Sequence, residues 1–450
     1  MIFQSCNPAT GVVGFTRPAW TPAQLESCLA QMRVAQRTWR TTPVEDRCAG
    51  LLRLSQLLLA HQAPLAEAIC AEVGKLLPEC HAEVEKAARL CHYYAEVAPS
   101  LLTPQAIPTL ASRSGVSFDP LGVVLAVMPW NYPVWQVLRF AVPALAAGNG
   151  CLVKPAPSVP QTSAYLAELV AEAGIAPFAM AWLAPAQVET AIVGCDAVAF
   201  TGSTQTGSHI AALAGRHIKK SVLELGGSNA CIVLADADVP LAAREAALSR
   251  FRDAGQSCNA AKRMIIVPEI AEAFIAAFVA EARSLVCGDP TDPRTTLAPL
   301  ARADLRRLVA AQVEDALLHG AVDVLGSPCP TGAGFFYPAT VLDHVSPACR
   351  VYHEEVFGPV ATVLRAKDEA DAIRLANDTP FGLGASIYSA DLAKAEALAA
   401  ELEVGSVFIN RHTSSDVRLP FGGVKASGYG RELSEFGLYE FVNVKTYWQR

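Results

Sequence analysis

Over the first hundred residues, apolar side chains recur at helical spacing; beyond them they gather into short blocks bounded by turn signals. Thr21-Pro22-Ala23-Gln24 offers an N-cap, a proline at the first helical position and a capping-box partner, with helically spaced apolar positions through Trp39. Pro43 opens a second helix, in which leucines at 51, 52, 54, 57, 58 and 59 form a broad apolar face. Similar patterns predict helices over 64–75 and 78–96. From about Pro120 the pattern predicts strands at 123–128, 151–153, 197–201 and 230–234, with helices at 160–173 and 205–214. A second alternating series predicts strands at 264–267, 322–325, 361–364, 385–388 and 406–409. Its helices fall at 270–285, 303–319, 369–377 and 392–401.

Strand and helix in alternation predict an α/β chain with parallel, doubly wound sheets. Segments 115–119 and 440–448 read as strands outside either sheet. The latter alternates and carries apolar side chains with no partner in sight, and such an edge is a liability unless paired. Pairing with another subunit is therefore expected. There is no internal repeat and no low-complexity linker.

Composition narrows the class. A length of 450 residues predicts two or three domains. The chain is 52% hydrophobic and 18% charged, yet its longest notable apolar run, 121–129, suits a buried strand and is too short for a membrane span. The opening Met1-Ile-Phe-Gln-Ser-Cys6 lacks a basic segment followed by a hydrophobic one, so no signal peptide is expected. Thirteen cysteines without regular spacing argue against a disulfide scaffold or a zinc site. The expectation is a cytoplasmic protein with reduced thiols and no metal. A net charge of −7 without a basic cluster argues against nucleic acid.

Several residues stand out chemically. Cys6, Cys28, Cys70, Cys151 and Cys231 lie among Ala, Leu and Val and read as core thiols. Cys258, in Phe251-Arg-Asp-Ala-Gly-Gln-Ser-Cys-Asn259, lies in a polar, glycine-bearing stretch that suggests a loop and a nucleophile of lowered pKa. Phe200-Thr-Gly-Ser203 ends a strand and Thr204-Gln-Thr-Gly207 opens a helix, which is either a phosphate-binding turn or a plain strand-to-helix turn. Lys154 ends another strand and is either a ligand contact or a solvated lysine. Glu224, in Leu223-Glu-Leu-Gly-Gly227, is either a general base or a salt-bridged core acid. Asn131, between Pro129 and Pro133, is either an oxyanion donor or the residue of an Asx turn.

Together these motifs resemble the aldehyde dehydrogenase superfamily, from Asn7-Pro-Ala-Thr-Gly11 to Lys445. The resemblance includes Pro129-Trp-Asn-Tyr-Pro133, Phe200-Thr-Gly-Ser203, Leu223-Glu-Leu-Gly-Gly227, Gly255-Gln-Ser-Cys258, Glu354-Glu-Val-Phe-Gly-Pro359 and Pro420-Phe-Gly-Gly423, in the family's order and spacing. It implies a Rossmann-like cofactor domain (1–103 with 119–226), an α/β catalytic domain (227–419) and a small β oligomerisation element (104–118 with 434–450). It also implies NAD- or NADP-dependent oxidation of an aldehyde, with Cys258 as nucleophile, Glu224 as base for deacylation and Asn131 as oxyanion donor. Matched positions put Lys154 near the adenine ribose, Ser203 near the pyrophosphate, Glu355 and Phe357 near the nicotinamide ribose, and Trp130 beside the nicotinamide. Phe200, Gly202, Gly207, Leu225 and Gly226 complete the implied cofactor set. Where NAD-strict relatives often carry a glutamate, this chain has Pro157, so NADP is expected to be accepted, with or without NAD.

The closest resemblance is to short bacterial succinate-semialdehyde dehydrogenases, through the pattern over 421–433. Arg139, Arg252 and Ser415 match the arginines and serine that hold the substrate carboxylate in that group. Two converging guanidiniums suit a carboxylate-bearing aldehyde. The alternative is that each arginine pairs with a carboxylate of its own domain, Arg252 with Asp253 for example. Other small aldehydes (glutarate semialdehyde, lactaldehyde or an aromatic one, with Trp135 and His412 lining the pocket) and a catalytically silent relative are the competing readings. The resemblance further implies a homodimer or homotetramer.

Overall fold

The chain opens with a strand pair. In the computed structural model, which describes residues 1–328 and 332–450, Ile2–Cys6 and Val13–Pro18 pair antiparallel. The intervening turn has Asn7 Oδ1 accepting from Ala9 N at 2.9 Å and Gly11 at a φ of 72°. This corrects the all-helical expectation for the first hundred residues, because turn chemistry at Asn7-Pro8 outweighs the weak apolar spacing around it. Helices Pro22–Thr41, Val44–Ala60, Gln62–Val73 and Leu77–Leu101 follow. Thr21 and Gln24 form the predicted reciprocal cap. Gly74, at a φ of 82°, ends the third helix in the left-handed conformation and turns the next residue, Lys75, inward.

The first large sheet has the order Gly428–Tyr429, Lys220–Glu224, Ala197–Thr201, Val123–Val127, Gly150–Lys154, Phe178–Met180. All neighbours are parallel except the Gly428–Tyr429 edge. The strand order reverses between Val123–Val127 and Ala197–Thr201. At such a switch point the loops leaving the carboxyl ends diverge and open a ligand crevice. Here those loops begin with Met128 and Gly202.

The chain leaves this sheet at Glu224 and enters the second at Asn229. That sheet runs Val322–Asp323, Thr340–Asp343, Val360–Arg365, Ala261–Ile266, Asn229–Val233, Ala385–Tyr388, Val407–Ile409, parallel apart from its first pair. Cys258 precedes the amino end of Ala261–Ile266, and Glu355 precedes that of Val360–Arg365. The reactive segment thus sits where the carboxyl ends of one sheet meet the amino ends of the next. A third sheet, Val442–Gln449, Arg113–Pro120 and Gln105–Ala106, is antiparallel, and Val442–Gln449 is its edge.

Every residue of the helix Trp135–Ala146 is buried, Gln136 and Arg139 included. It is not among the predicted elements, although these two polar residues fall one turn apart on one face of an otherwise apolar run. It delivers Arg139 to the centre of the molecule. Among the described residues no helix is long and apolar enough to cross a membrane, and no group of three or more His, Cys, Asp or Glu is placed to hold a metal.

Candidate active site

Cys258, the candidate nucleophile, follows a strained turn. Helix Val239–Phe251 ends at Arg252, and Asp253 and Ala254 follow at φ of 52° each, then Gly255 at 70°. Left-handed backbone costs a non-glycine residue about 1–2 kcal/mol, so something must hold it. Asp253 N donates to Glu79 Oε1 at 2.8 Å, and Tyr132 Oη donates to Asp253 Oδ2. Lys75 Nζ lies 3.4 Å from Asp253 Oδ1 and 2.6 Å from Glu83 Oε2, with all three side chains buried. Arg250 Nη2 donates to the carbonyls of Gly255 and Gly358, both at 2.7 Å. Burial works against the Lys75 charge, but Asp253, Glu83 and Tyr132 outweigh it and hold its pKa above the usual lysine range. Burial, and then the Asp253 charge, push Glu79 up to about 7.

Asn131 is buried, and its Nδ2 donates to Gln256 O at 3.0 Å, tying its loop to the residue two before Cys258. Cys258 is partly buried. Its carbonyl lies 2.7 Å from where a Cβ on Gly227 would sit, so only glycine there lets the two loops meet. Lys262 Nζ donates to the carbonyls of Ser257 and Cys258 at 2.9 and 3.0 Å and lies 3.3 Å from Glu355 Oε1. The Cys258 thiol is not depressed, as its polar surroundings in sequence had suggested. Burial pushes it up to about 11; Arg139 and Lys262 pull it down, while Glu224 and Glu355 push it up. Cys70, Cys151 and Cys231 are buried as expected, whereas Cys6, at the end of Ile2–Cys6, and Cys28, within Pro22–Thr41, are partly exposed.

Glu224 ends its strand with both carboxylate oxygens buried and, among the described residues, without a hydrogen-bond partner. Burial, and then Glu432, drive its pKa well above the usual carboxylate range; Arg139 and Arg431 offset part of the rise. The 421–433 segment closes over it. Gly428 pairs with Glu224, Leu225 N donates to Ser427 O at 3.0 Å, and Ser427 Oγ donates to Gly226 O at 2.6 Å.

The crevice at the switch point holds the implied cofactor residues. Ser203 caps the helix Thr204–Arg216, accepting from Thr206 N. A Cβ on Gly207 would fall 2.3 Å from Leu225, and one on Gly226 would fall 2.5 Å from Glu355 Oε2. Gly202 N donates to Glu224 O at 3.0 Å, and a Cβ on Gly202 would meet the Phe200 ring at 2.6 Å. Lys154 is buried; its Nζ lies 3.4 Å from Pro155 O and 5.9 Å from the Phe3 ring centre, and burial lowers its pKa to about 8. Glu355 Oε1 accepts from Gly227 N at 3.1 Å. Trp130 meets the edge of Phe357 at 5.8 Å between ring centroids.

Arg139, Arg252, Ser415, Trp135 and Cys258 line one solvent-open cleft of about 810 Å³. Both arginines already face carboxylates. Arg139 Nε pairs with Glu432 Oε2, with its guanidinium 4.9 Å from the Phe421 ring centre, and its Nη2 has no hydrogen-bond partner. Arg252 Nε lies 3.6 Å from Asp253 Oδ2. A third cation, Lys86, lines the same cleft and donates to Ser415 Oγ at 2.5 Å.

With this geometry in place, the family model described as the aldehyde dehydrogenase family matches residues 1–447. The chain belongs to the aldehyde dehydrogenase family. It is 45% identical to the succinate semialdehyde dehydrogenase (NAD(P)+) Sad of Escherichia coli, over 99% of this chain and 97% of that protein. It is 42% identical to the succinate-semialdehyde dehydrogenase (NADP(+)) of Deinococcus radiodurans, over 98% and 94%. The crystal structure of succinic semialdehyde dehydrogenase from Streptococcus pyogenes in complex with NADP+ superimposes with a TM-score of 0.97 at 35% identity, covering 99% of each chain.

Sequence reading of this aldehyde dehydrogenase missed Lys75, Lys86, Lys262 and Glu432. Glu79, Glu83 and Lys86 share one helix face at i, i+4, i+7 spacing, a signal available in the sequence but attached to nothing until that face is placed against the cleft. The raised thiol predicts that iodoacetamide labelling of Cys258 in the cofactor-free enzyme accelerates about tenfold per pH unit between about pH 7 and pH 9, because the thiolate fraction still grows there. Peptide mass spectrometry tracks it. A flat rate would mean the thiolate already exists at neutral pH.

Proposed function

We propose that this enzyme oxidises succinate semialdehyde to succinate with NADP or NAD through a Cys258 thioester. The observation that carries the substrate assignment is the placing of Lys86, Arg139 and Arg252 in the cleft that also holds Cys258; Glu79, Glu83 and Asp253 line it too, and among the described residues Lys86 has no carboxylate at ion-pair distance. A neutral aldehyde has no group to compensate such charges, whereas a carboxylate-bearing one does. The three-unit division at 1–103 with 119–226, 227–419, and 104–118 with 434–450 is part of the same proposal.

The residues present fit a dinucleotide. Among the described residues Lys154 is a buried ammonium with no anionic partner, Ser203 caps a helix at the switch point, and Gly202, Gly207 and Gly226 let Phe200, Leu225 and Glu355 pack close against the backbone there. Lys154 would hold the adenine ribose, Ser203 the pyrophosphate, and Glu355 with Phe357 the nicotinamide ribose beside Trp130. Phe200 and Leu225 support that wall. Pro157 places no negative charge against a 2′-phosphate.

The Cys258 thiol gives its proton to solvent as its sulfur adds to the aldehyde carbon, and the carbonyl π pair moves to oxygen. Asn131 and the Cys258 N–H donate to that oxygen. Bound NAD(P) supplies the acceptor for the hydride whose loss turns the adduct into a thioester. Glu224, with a raised pKa and no competing partner, takes a proton from water as it attacks the thioester carbon; the carbon–sulfur bond breaks, releasing the acid and the thiolate. Arg139, Arg252 and Ser415 form the wall facing the distal carboxylate.

Rates of reduced-cofactor formation with succinate semialdehyde, glutarate semialdehyde and a neutral aldehyde, each with NAD and NADP, test the assignment. The expected result is the highest kcat/KM for succinate semialdehyde with NADP accepted. A preference for the neutral aldehyde would overturn it.

The Val442–Gln449 edge also belongs to this proposal, as a contact with a second copy in a homodimer or homotetramer. Its side chains are mostly exposed, Val444 by 55% and Trp448 by 58%, and an open apolar edge favours strand pairing. Light scattering should report two or four chains, falling to one for Trp448→Lys with Val444→Lys. A single-chain mass for the natural protein would contradict it.

A further inference from the structure

Three cations line the cleft before Cys258, and they are not equivalent. Arg139 is paired with Glu432, and Arg252 faces Asp253, which Lys75 also shares. Glu83 is taken by Lys75 and by the Val134 and Trp135 N–H groups at 2.9 and 3.0 Å. Glu79 is taken by the N–H groups of Leu76 and Asp253. Lys86 differs. Its Nζ donates to the Ser415 hydroxyl and sits 4.4 Å from the Trp135 ring centre, and among the described residues it has no carboxylate at ion-pair distance. An ammonium carries three donors, and a hydroxyl and an aromatic face use two of them without balancing the charge.

We propose that Lys86 is the group that receives the distal carboxylate of the substrate, with Ser415 setting the direction of its ammonium. The inference rests on the semialdehyde reading above and adds to it a residue on a helix that no cleft motif marks. It also changes the roles of the neighbours. Arg139 and Arg252 keep positive potential in the wall while their own partners anchor them, and Lys86 makes the contact that substrate binding completes.

A consequence follows for pH. The charged groups around Lys86 are Arg89, Glu83 and Glu79 on its own helix, Arg139 on Trp135–Ala146, Arg252 and Asp253 on the reactive turn, and Asp416 and His412 beside Ser415. Burial, and then Arg139, Arg252 and Arg89, push Lys86 down to about 7, with Asp416 opposing. Below about pH 7 the free enzyme already holds the proton. Above it, the ammonium must regain a proton for the carboxylate to bind, so KM for the semialdehyde rises with pH, by at most about tenfold per unit. A neutral aldehyde lacks this dependence.

The test is the ratio of kcat/KM for succinate semialdehyde to that for butyraldehyde between about pH 6.5 and pH 9, in the natural enzyme, Lys86→Met and Lys86→Arg. Loss of a charged hydrogen-bonding partner predicts a ratio about ten- to a hundredfold lower in Lys86→Met at pH 6.5. The natural ratio should fall as pH rises; the Lys86→Arg ratio should stay level, because a guanidinium does not titrate there. An unchanged ratio in Lys86→Met, or the natural fall persisting in Lys86→Arg, overturns the role of Lys86 while leaving the semialdehyde reading in place. A natural enzyme that prefers butyraldehyde at every pH overturns both.

Discussion

Lys75, buried between Glu83 and Asp253, is the charge on which the rest of the site depends. Each carboxylate it neutralises has a second task. Glu83 accepts from the first N–H groups of the helix that carries Arg139, a favourable place for negative charge. Asp253 is itself one of the left-handed residues before Cys258. Removing one member of a buried ion pair typically costs about 3–5 kcal/mol, against about 1–2 kcal/mol for each of the left-handed non-glycine residues Asp253 and Ala254. The network therefore exceeds or matches the strain it restrains. It also joins the Asn131 loop to the Cys258 loop, since Lys75 Nζ reaches Asn131 O at 3.5 Å and stacks on Tyr132.

The catalytic groups share a common electrostatic problem. Cys258 and Glu224 both sit where burial disfavours their charged forms; Glu224 adds to the rise at Cys258, and Glu432 to the rise at Glu224. Positive charge is supplied from opposite sides, by Arg139 towards both groups and by Lys262 through the backbone of the reactive loop. The arrangement follows from topology: Glu224 at the carboxyl end of one sheet and Cys258 before the amino end of the next are brought near by Leu225–Ser228, which is short and glycine-rich.

Much of this was legible in the chain itself. The alternating strands of both sheets, the Thr21 cap and the glycine turn at Gly202 each rest on local chemistry that a sequence displays. Trp135–Ala146 was not among the predicted elements, although its apolar run sets Gln136 and Arg139 one turn apart on one face. The opening strand pair was not, because its residues alternate too weakly against the helices beside them. The site was legible where a motif is contiguous, as at Cys258, and illegible where it is assembled across the fold. Lys75 and Lys86 look like ordinary helix-end and helix-face lysines until Asp253 and Ser415 are brought to them. The expectation of a depressed Cys258 pKa failed for a related reason: polar neighbours in sequence do not prevent burial in space.

The central claim is that Cys258 carries the acyl group and that Glu224 activates the water that releases it. The most direct measurement is mass spectrometry of acid-quenched Glu224→Gln enzyme after mixing with succinate semialdehyde and NADP. The account predicts that the peptide containing Cys258 gains one succinyl group and that a single equivalent of reduced cofactor forms in a burst. An unmodified Cys258 peptide accompanied by continued turnover would contradict it.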